Sequence, residues 1–220
     1  MLRTLLATVV LAWLGWLSAA WLTQDFEIWT AEGARRRSVI DAPVTAPHAT
    51  LLGAGVNGVD LVSALAQPGR VTIASFIYTR CPSICLSLGS SFQQLQDAIA
   101  APPSPGLNPS VDLGVRLLSL SFDPAHDNAD QLSRYASQLR VNPQYWTIAT
   151  VPDAEQLQRL LRAWQVVVIA DGLGGYEHNA ALLVIDAHGR LVRIFEDSEG
   201  VTALAYARAL QQLDAAKFKS

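Results

Sequence analysis

The spacing of apolar positions changes several times along this 220-residue chain, and each change marks an element. From Leu5 to Leu22 almost every residue is apolar, with no periodicity and with Trp13, Trp16 and Trp21 inside the run. Its length approaches the ~18–20 residues that cross a bilayer. Residues 23–49 mix proline, charge and small side chains without a clear period and read as a tether. Thr50 to Asp60, with Gly53, Gly55 and Gly58, predicts short strands and a turn, and Leu61 to Gln67 a brief helix closed by Pro68-Gly69. Val71 to Tyr78 is continuous, apolar and rich in β-branched residues, the signature of a buried strand.

Beyond that strand the period becomes helical. Leu88, Phe92, Leu95 and Ile99 share one face of a helix that runs to about Ala100, where Ala101-Pro-Pro-Ser-Pro-Gly106 breaks it. A second strand is predicted over Leu113–Ser121, a helix over Asp127–Arg140 and a short strand over Trp146–Thr150. A helix over Asp153–Trp164 follows, N-capped by Asp153, then an extended run Gln165–Ile169 and a glycine loop at Gly172, Gly174 and Gly175. Ala181–Asp186 and Arg190–Phe195 form a hairpin through Ala187-His188-Gly189, and a last helix covers Val201–Phe218. Strands alternate with helices early and a hairpin closes the sheet late. This order predicts an α/β, thioredoxin-like sandwich with a C-terminal hairpin and helix, preceded by an N-terminal membrane helix. The divisions are 1–22 as transmembrane anchor or signal, 23–49 as tether and 50–220 as the globular domain.

Composition narrows the chemistry. The net charge of −3 and scattered basic residues, apart from Arg35-Arg36-Arg37, argue against nucleic acid. There is no Walker loop, dinucleotide fingerprint or G-x-S-x-G. Arg3 before the apolar run places the amino terminus in the cytoplasm and the domain on the exported side. An uncleaved anchor is the preferred reading, supported by Trp21 and Trp29 as interface residues; the rival is a signal peptide cut after Ser18-Ala19-Ala20.

Cys81 and Cys85 are the only cysteines, in Phe76-Ile-Tyr-Thr-Arg-Cys-Pro-Ser-Ile-Cys85. Thiols four apart at the start of a helix share a face, so the pair can clamp a soft metal ion or close a disulfide. Pro82 suits the first helical position, and the helix N-terminus, aided by Arg80, favours thiolate. Thr79, Arg80 and Ser83 around the pair are not a core composition. Phe76 and Tyr78 read as packing residues, His48 and His188 as solvated. His126 reads as part of a capped turn, and Asp123 as either a cap or a group supporting the thiol site. His178 alone, in a glycine loop, would ordinarily be a solvated histidine.

The cysteine segment resembles the metal-site motif of Sco/SenC proteins, the copper chaperones of cytochrome oxidase assembly. Ser119-Leu-Ser-Phe-Asp-Pro-Ala-His-Asp127 is similar to the family's strand-end Asp-Pro stretch. Tyr176-Glu-His-Asn179 with Leu183-Val-Ile-Asp-Ala-His-Gly189 is similar to its histidine loop and hairpin. Leu86 stands where the family usually has proline, and Asn179 where it usually has serine. The resemblance implies a membrane-anchored chaperone holding copper, as Cu(I) and also as Cu(II), on Cys81, Cys85 and His178. It further implies delivery to the dinuclear copper A centre of cytochrome c oxidase subunit II, with the domain on the periplasmic or equivalent side of the inner membrane. Other copper carriers or thiol reductants are the expected further partners. The alternative is a thiol–disulfide oxidoreductase in which Cys81 and Cys85 are the redox pair that reduces the recipient's cysteines.

Overall fold

A computed structural model describes residues 2–23, 30–81, 84–101 and 114–217, with backbone alone for 84–87 and 215–217. The expectations placed on Trp29, Pro82 and the Pro-Pro-Ser-Pro-Gly run fall outside these residues, as do the first residues of the predicted strand at Leu113 and the end of the last helix at Phe218. Seven helices and ten strands occupy the described residues. Helix α1 (Leu2–Leu22) is long and apolar enough to cross a membrane and is solvent-exposed along nearly its whole length.

Strands β4 (Val71–Ile77), β5 (Val115–Ser121) and β6 (Trp146–Thr150) run parallel in that order, and every residue of β4 is buried. Parallel strands covered on both faces need continuous apolar runs, which is why these segments lack polar alternation. Antiparallel strands complete the sheet on both sides. β9 (Leu182–Ile185), β10 (Arg190–Phe195) and β1 (Val44–Thr45) extend it from β4, and β2 (Thr50–Gly53) and β3 (Val56–Asp60) from β6. Side-chain alternation along the paired register sorts the sheet into two faces. Phe92 of α4 (Ile84–Ala100) meets Trp146 at 5.3 Å, and Gly89 of α4 faces Leu139 and Tyr135 of the α5 region (α5, Ala129–Gln138). On the other face Phe76 meets Trp164, at the end of α6 (Ala154–Ala163), edge-on at 5.9 Å. Crossovers β4–α4–β5–α5–β6 that advance in one direction put both helices on the same side, as right-handed connections require. Helix α7 (Gly200–Lys217) packs against β4, β5 and α4, completing a thioredoxin-like sandwich.

Helix faces follow the predicted spacing. Leu88, Phe92, Leu95 and Ile99 are all at most 4 % exposed. Asp153 caps α6 by accepting from the Gln156 amide at 2.8 Å, as expected. The α5 helix is shorter than predicted, because Asn128, not Asp127, provides its cap through the Gln131 amide. It also ends sooner, since Arg140 takes a left-handed φ of 52°.

The expectation of a tether does not describe residues 30–49. Thr30 caps a helix, α2 (Ala31–Asp41), and β1 adds to the sheet edge at β10. The charged triplet explains why no apolar period betrayed α2. Arg35 is 6 % exposed and its Nε and Nη2 donate to the Trp164 carbonyl at 3.3 and 3.2 Å, while Nη1 pairs with Glu32 at 2.8 Å. Arg36 reaches Glu196 and Glu199 at 3.3 and 3.6 Å. A guanidinium caps the end of α6 in place of an apolar contact. Charge-assisted bonds of this kind contribute roughly 1.5–3 kcal/mol, so Arg35→Ala is expected to lower unfolding stability by about that amount. Urea denaturation of the two proteins checks it, and an unchanged midpoint would show that α2 only rests on the surface.

Candidate metal centre

Both sulfur-bearing residues and the histidine lie at the carboxyl end of the parallel strands. The chain leaves β4 at Ile77 and turns through Tyr78-Thr79-Arg80, with the Cys81 amide donating to the Tyr78 carbonyl at 3.3 Å. Cys81 is half-buried against the core and precedes the helix; Cys85 is the second residue of α4. The expected helical stagger of two thiols on one turn therefore does not apply as stated, because Cys81 belongs to the strand-exit loop. The Cys85 side chain lies outside the described residues.

Three carboxylate and hydroxyl contacts fix this loop. Asp127 is fully buried and accepts from the Thr79 amide at 3.0 Å, the Thr79 hydroxyl at 2.5 Å and the Ser121 hydroxyl at 2.5 Å. It satisfies the chain two residues before Cys81 from a position 48 residues away. Asp123, 3 % exposed, accepts from Arg80 Nη2 at 3.0 Å and lies 2.9 Å from His126 Nδ1. Nδ1 cannot both donate to a carboxylate and accept from the guanidinium 3.0 Å away, so the ring belongs to Asp123. Asp123 thus closes the turn that follows it, its carbonyl accepting from the His126 and Asp127 amides, and its carboxylate also holds Arg80 of the cysteine loop. Its ion pair draws the Arg80 guanidinium toward the Asp123 turn. His126 is part of this turn, as expected, and His188 contributes its amide to a turn built on Asp186. His48 is exposed beside Asp60.

His178 ends a two-stranded ribbon formed by β7 (Val168–Ala170) and β8 (Tyr176–His178), in register Val168↔His178 and Ala170↔Tyr176. The extended run expected from Gln165 begins later, because Gln165 ends α6 with a φ of 52°. The ribbon turns through Gly172 and Gly174, whose φ values of 75° and 91° favour glycine, and the Asp171 carboxylate accepts from the Leu173 and Gly175 amides. Those two amides hold its carboxyl below the usual range. Asn179 ties down the base, accepting from the Val167 amide at 2.8 Å and donating to the Gln165 carbonyl at 3.1 Å. An amide in place of serine at this position thus has a bracing role.

Tyr78 joins the cysteine loop to this ribbon. Its hydroxyl donates to the Tyr176 carbonyl at 3.3 Å and accepts from the Tyr176 amide at 3.2 Å. The approach needs Gly175, where a Cβ would stand 3.3 Å from the Tyr78 oxygen and 2.6 Å from Asp171. Tyr78, Phe122 and Tyr176 pack with centroids 5.2–5.4 Å apart, and Phe122 meets the His178 ring at 5.1 Å. The strand pattern marks Tyr78 as a packing residue alone; its hydrogen-bond partner lies 98 residues on, beyond the reach of any local pattern.

The imidazole itself is unusual. Both His178 nitrogens are shut off from solvent and have no hydrogen-bond partner among the described residues. Burial holds the ring below its ordinary value of 6.5, so it is neutral near pH 7. A polar group in this state costs stability unless something binds it. Among the described residues no three His, Cys, Asp or Glu side chains converge as a metal cage. The set that the sequence singles out includes the Cys85 thiol, which is not among them. Neutral imidazole and thiolate are donors suited to a soft cation.

Fold and site together define a thioredoxin-like protein with one cysteine at a strand exit, a second at the start of the next helix, and on an adjoining ribbon an imidazole without a partner among the described residues. The SCO1/SenC family model matches residues 59–213. A SCO1 protein homologue of Bacillus subtilis (strain 168) is 23% identical over 140 residues, 63% of this chain and 68% of its own. The crystal structure of Arabidopsis thaliana ScoI with copper bound superposes with a TM-score of 0.62 at 17% identity, covering 77% of this chain and 99% of that one. The structure of BsSco, described as having a disulfide switch and as a member of the Sco family of cytochrome c oxidase assembly proteins, gives 0.64 at 19% identity, over 78% and 96%. The chain belongs to the SCO1/SenC family.

The depressed titration of His178 fixes a pH dependence. The unfolded chain takes up the histidine proton near 6.5 and the folded chain only at lower pH, so the unfolded state binds more protons in between. The stability tied to the neutral ring is complete above about 6.5 and is lost as pH falls through the folded value. His178→Leu is expected to flatten that acid-side slope and to raise stability of the metal-free protein by roughly 1–2 kcal/mol, since a buried unsatisfied polar group is removed. Denaturant titrations at pH 5 to 8 check both effects.

Proposed function

We propose that this protein is a copper carrier that holds Cu(I), and also Cu(II), on Cys81, Cys85 and His178 and passes it to the dinuclear copper A centre of cytochrome c oxidase subunit II. The observation that carries the reading is the half-buried His178 ring, whose two nitrogens are shut off from solvent and without a partner among the described residues, on a ribbon hydrogen-bonded to the cysteine loop. Two thiolates and one imidazole make a three-coordinate soft site, which suits Cu(I) and leaves room for an incoming ligand. The copper-bound state of the Arabidopsis ScoI relative supports the cargo, and the oxidase-assembly role given to BsSco supports the destination. In this reading α1 anchors the domain to the inner membrane on its periplasmic or equivalent side.

A thiol–disulfide reductase working through Cys81 and Cys85 is the second reading, favoured by the disulfide switch of BsSco. Reduction needs only the sulfurs, so the two readings part at the histidine. Reduced, anaerobic protein is expected to bind about one Cu(I) per chain. Competition with a Cu(I) chelator should show His178→Ala weakening binding by at least ~100-fold, with His126→Ala and His188→Ala close to the parent. Equal effects from all three substitutions would remove His178 from the ligand set. Full oxidase assembly by a His178→Ala strain would transfer the function to the reductase reading.

A further inference from the structure

The opposite end of the sheet has a feature that the metal centre does not use. Arg70 immediately precedes β4 and Cys81 follows it, so the two are separated by a seven-residue strand, about 23 Å at the usual rise. The face of the sheet that carries Phe76 also carries Thr72, Arg116, Leu118 and Thr147, placed side by side by the register Thr72↔Arg116 and Leu118↔Thr147. The end of α6 covers the Phe76 end of this face. Toward the start of the strands lies a cleft of about 420 Å³, walled by Val56, Val59 and Ala64 from β3 and α3 (Leu61–Leu65). That volume lies within the ~300–1,000 Å³ range of small-molecule sites.

Its charge is one-sided. Arg70 and Arg116 both line the cleft, and among the described residues no aspartate or glutamate does. Each guanidinium uses Nη1 on a neutral acceptor, Arg70 on the Gln67 side chain and Arg116 on the Gln144 carbonyl. Neither has a carboxylate partner among the described residues. Burial, and then the neighbouring Arg70, hold Arg116 below the ordinary guanidinium value. Two like charges in a partly apolar cleft are unfavourable until an anion enters. A guanidinium pair matches a carboxylate with parallel N–H donors, and the valine wall matches an apolar body.

We propose that this cleft binds a small amphiphilic anion, a carboxylate on a short apolar chain. The head lies between Arg70 and Arg116 and the chain lies on Val56, Val59 and Ala64. The cleft is separate from the copper centre and its occupancy does not depend on copper.

Calorimetry on the full chain in zwitterionic nanodiscs, with heats from empty discs subtracted, tests this using hexanoate, 1-hexanol and acetate. Hexanoate is expected to saturate one site per chain, and hexanol (no charge) and acetate (no chain) to bind at least about tenfold more weakly. Arg70→Gln and Arg116→Gln should each weaken hexanoate by about tenfold or more, the loss expected for a charge-assisted bond, while Arg193→Gln should not. Arg70 is exposed, so its substitution separates binding from folding even if Arg116→Gln is unstable. Absence of saturable hexanoate binding, binding that survives Arg70→Gln, or equal binding of acetate would overturn the proposal. Copper stoichiometry of the same samples reports the other site independently.

Discussion

One phenol oxygen connects the two halves of the candidate metal centre. Tyr78 extends from a strand whose every residue is buried, and its hydroxyl bonds both the amide and the carbonyl of Tyr176. The cysteine loop and the histidine ribbon are far apart in sequence, 98 residues at this bond. An isolated two-stranded ribbon is marginal in water. Here it gains a fixed position from the hydroxyl, from the aromatic trio around Phe122 and from Asn179 at its base. Each of these contacts acts on the backbone or on ring edges and leaves the His178 nitrogens unengaged.

That unengaged ring shows how stability and chemistry are divided. A domain optimised for folding would give a buried imidazole a carbonyl or carboxylate partner. The buried carboxylates of the strand-exit turns, Asp127 and Asp123, instead serve Thr79, Ser121, Arg80 and His126. The carboxylates therefore shape the loop around Cys81, while both His178 nitrogens stay without a hydrogen-bond partner among the described residues. A strained or unsatisfied group retained by a well-satisfied scaffold is a common mark of a working site.

Periodicity made the sheet and its covering helices readable, since β4, α4, β6 and α6 each repeat one pattern without interruption. The N-cap at Asp153 was readable because its signal lies within three residues. The cysteine motif and the histidine segment were readable as a family resemblance, not as geometry. The features missed were those fixed by distant partners. Arg35 and its carbonyl are 129 residues apart, Thr79 and Asp127 are 48 apart, and an arginine triplet gives no sign that one member is buried. The same limit applies to Arg70 and Arg116, which look like scattered surface charge until strand pairing sets Arg116 beside Thr72.

The docking of α2 onto the domain sets a limit on travel. Because residues 30–49 belong to the folded body, only nine chain steps separate Leu22 from Ala31, and these span at most about 30 Å. With α1 fixed in a bilayer, the domain would be tied on a short leash, able to roll and tilt close to the lipid but not to roam. Any partner would then meet it within that thin layer, through a search by lateral diffusion and orientation in two dimensions.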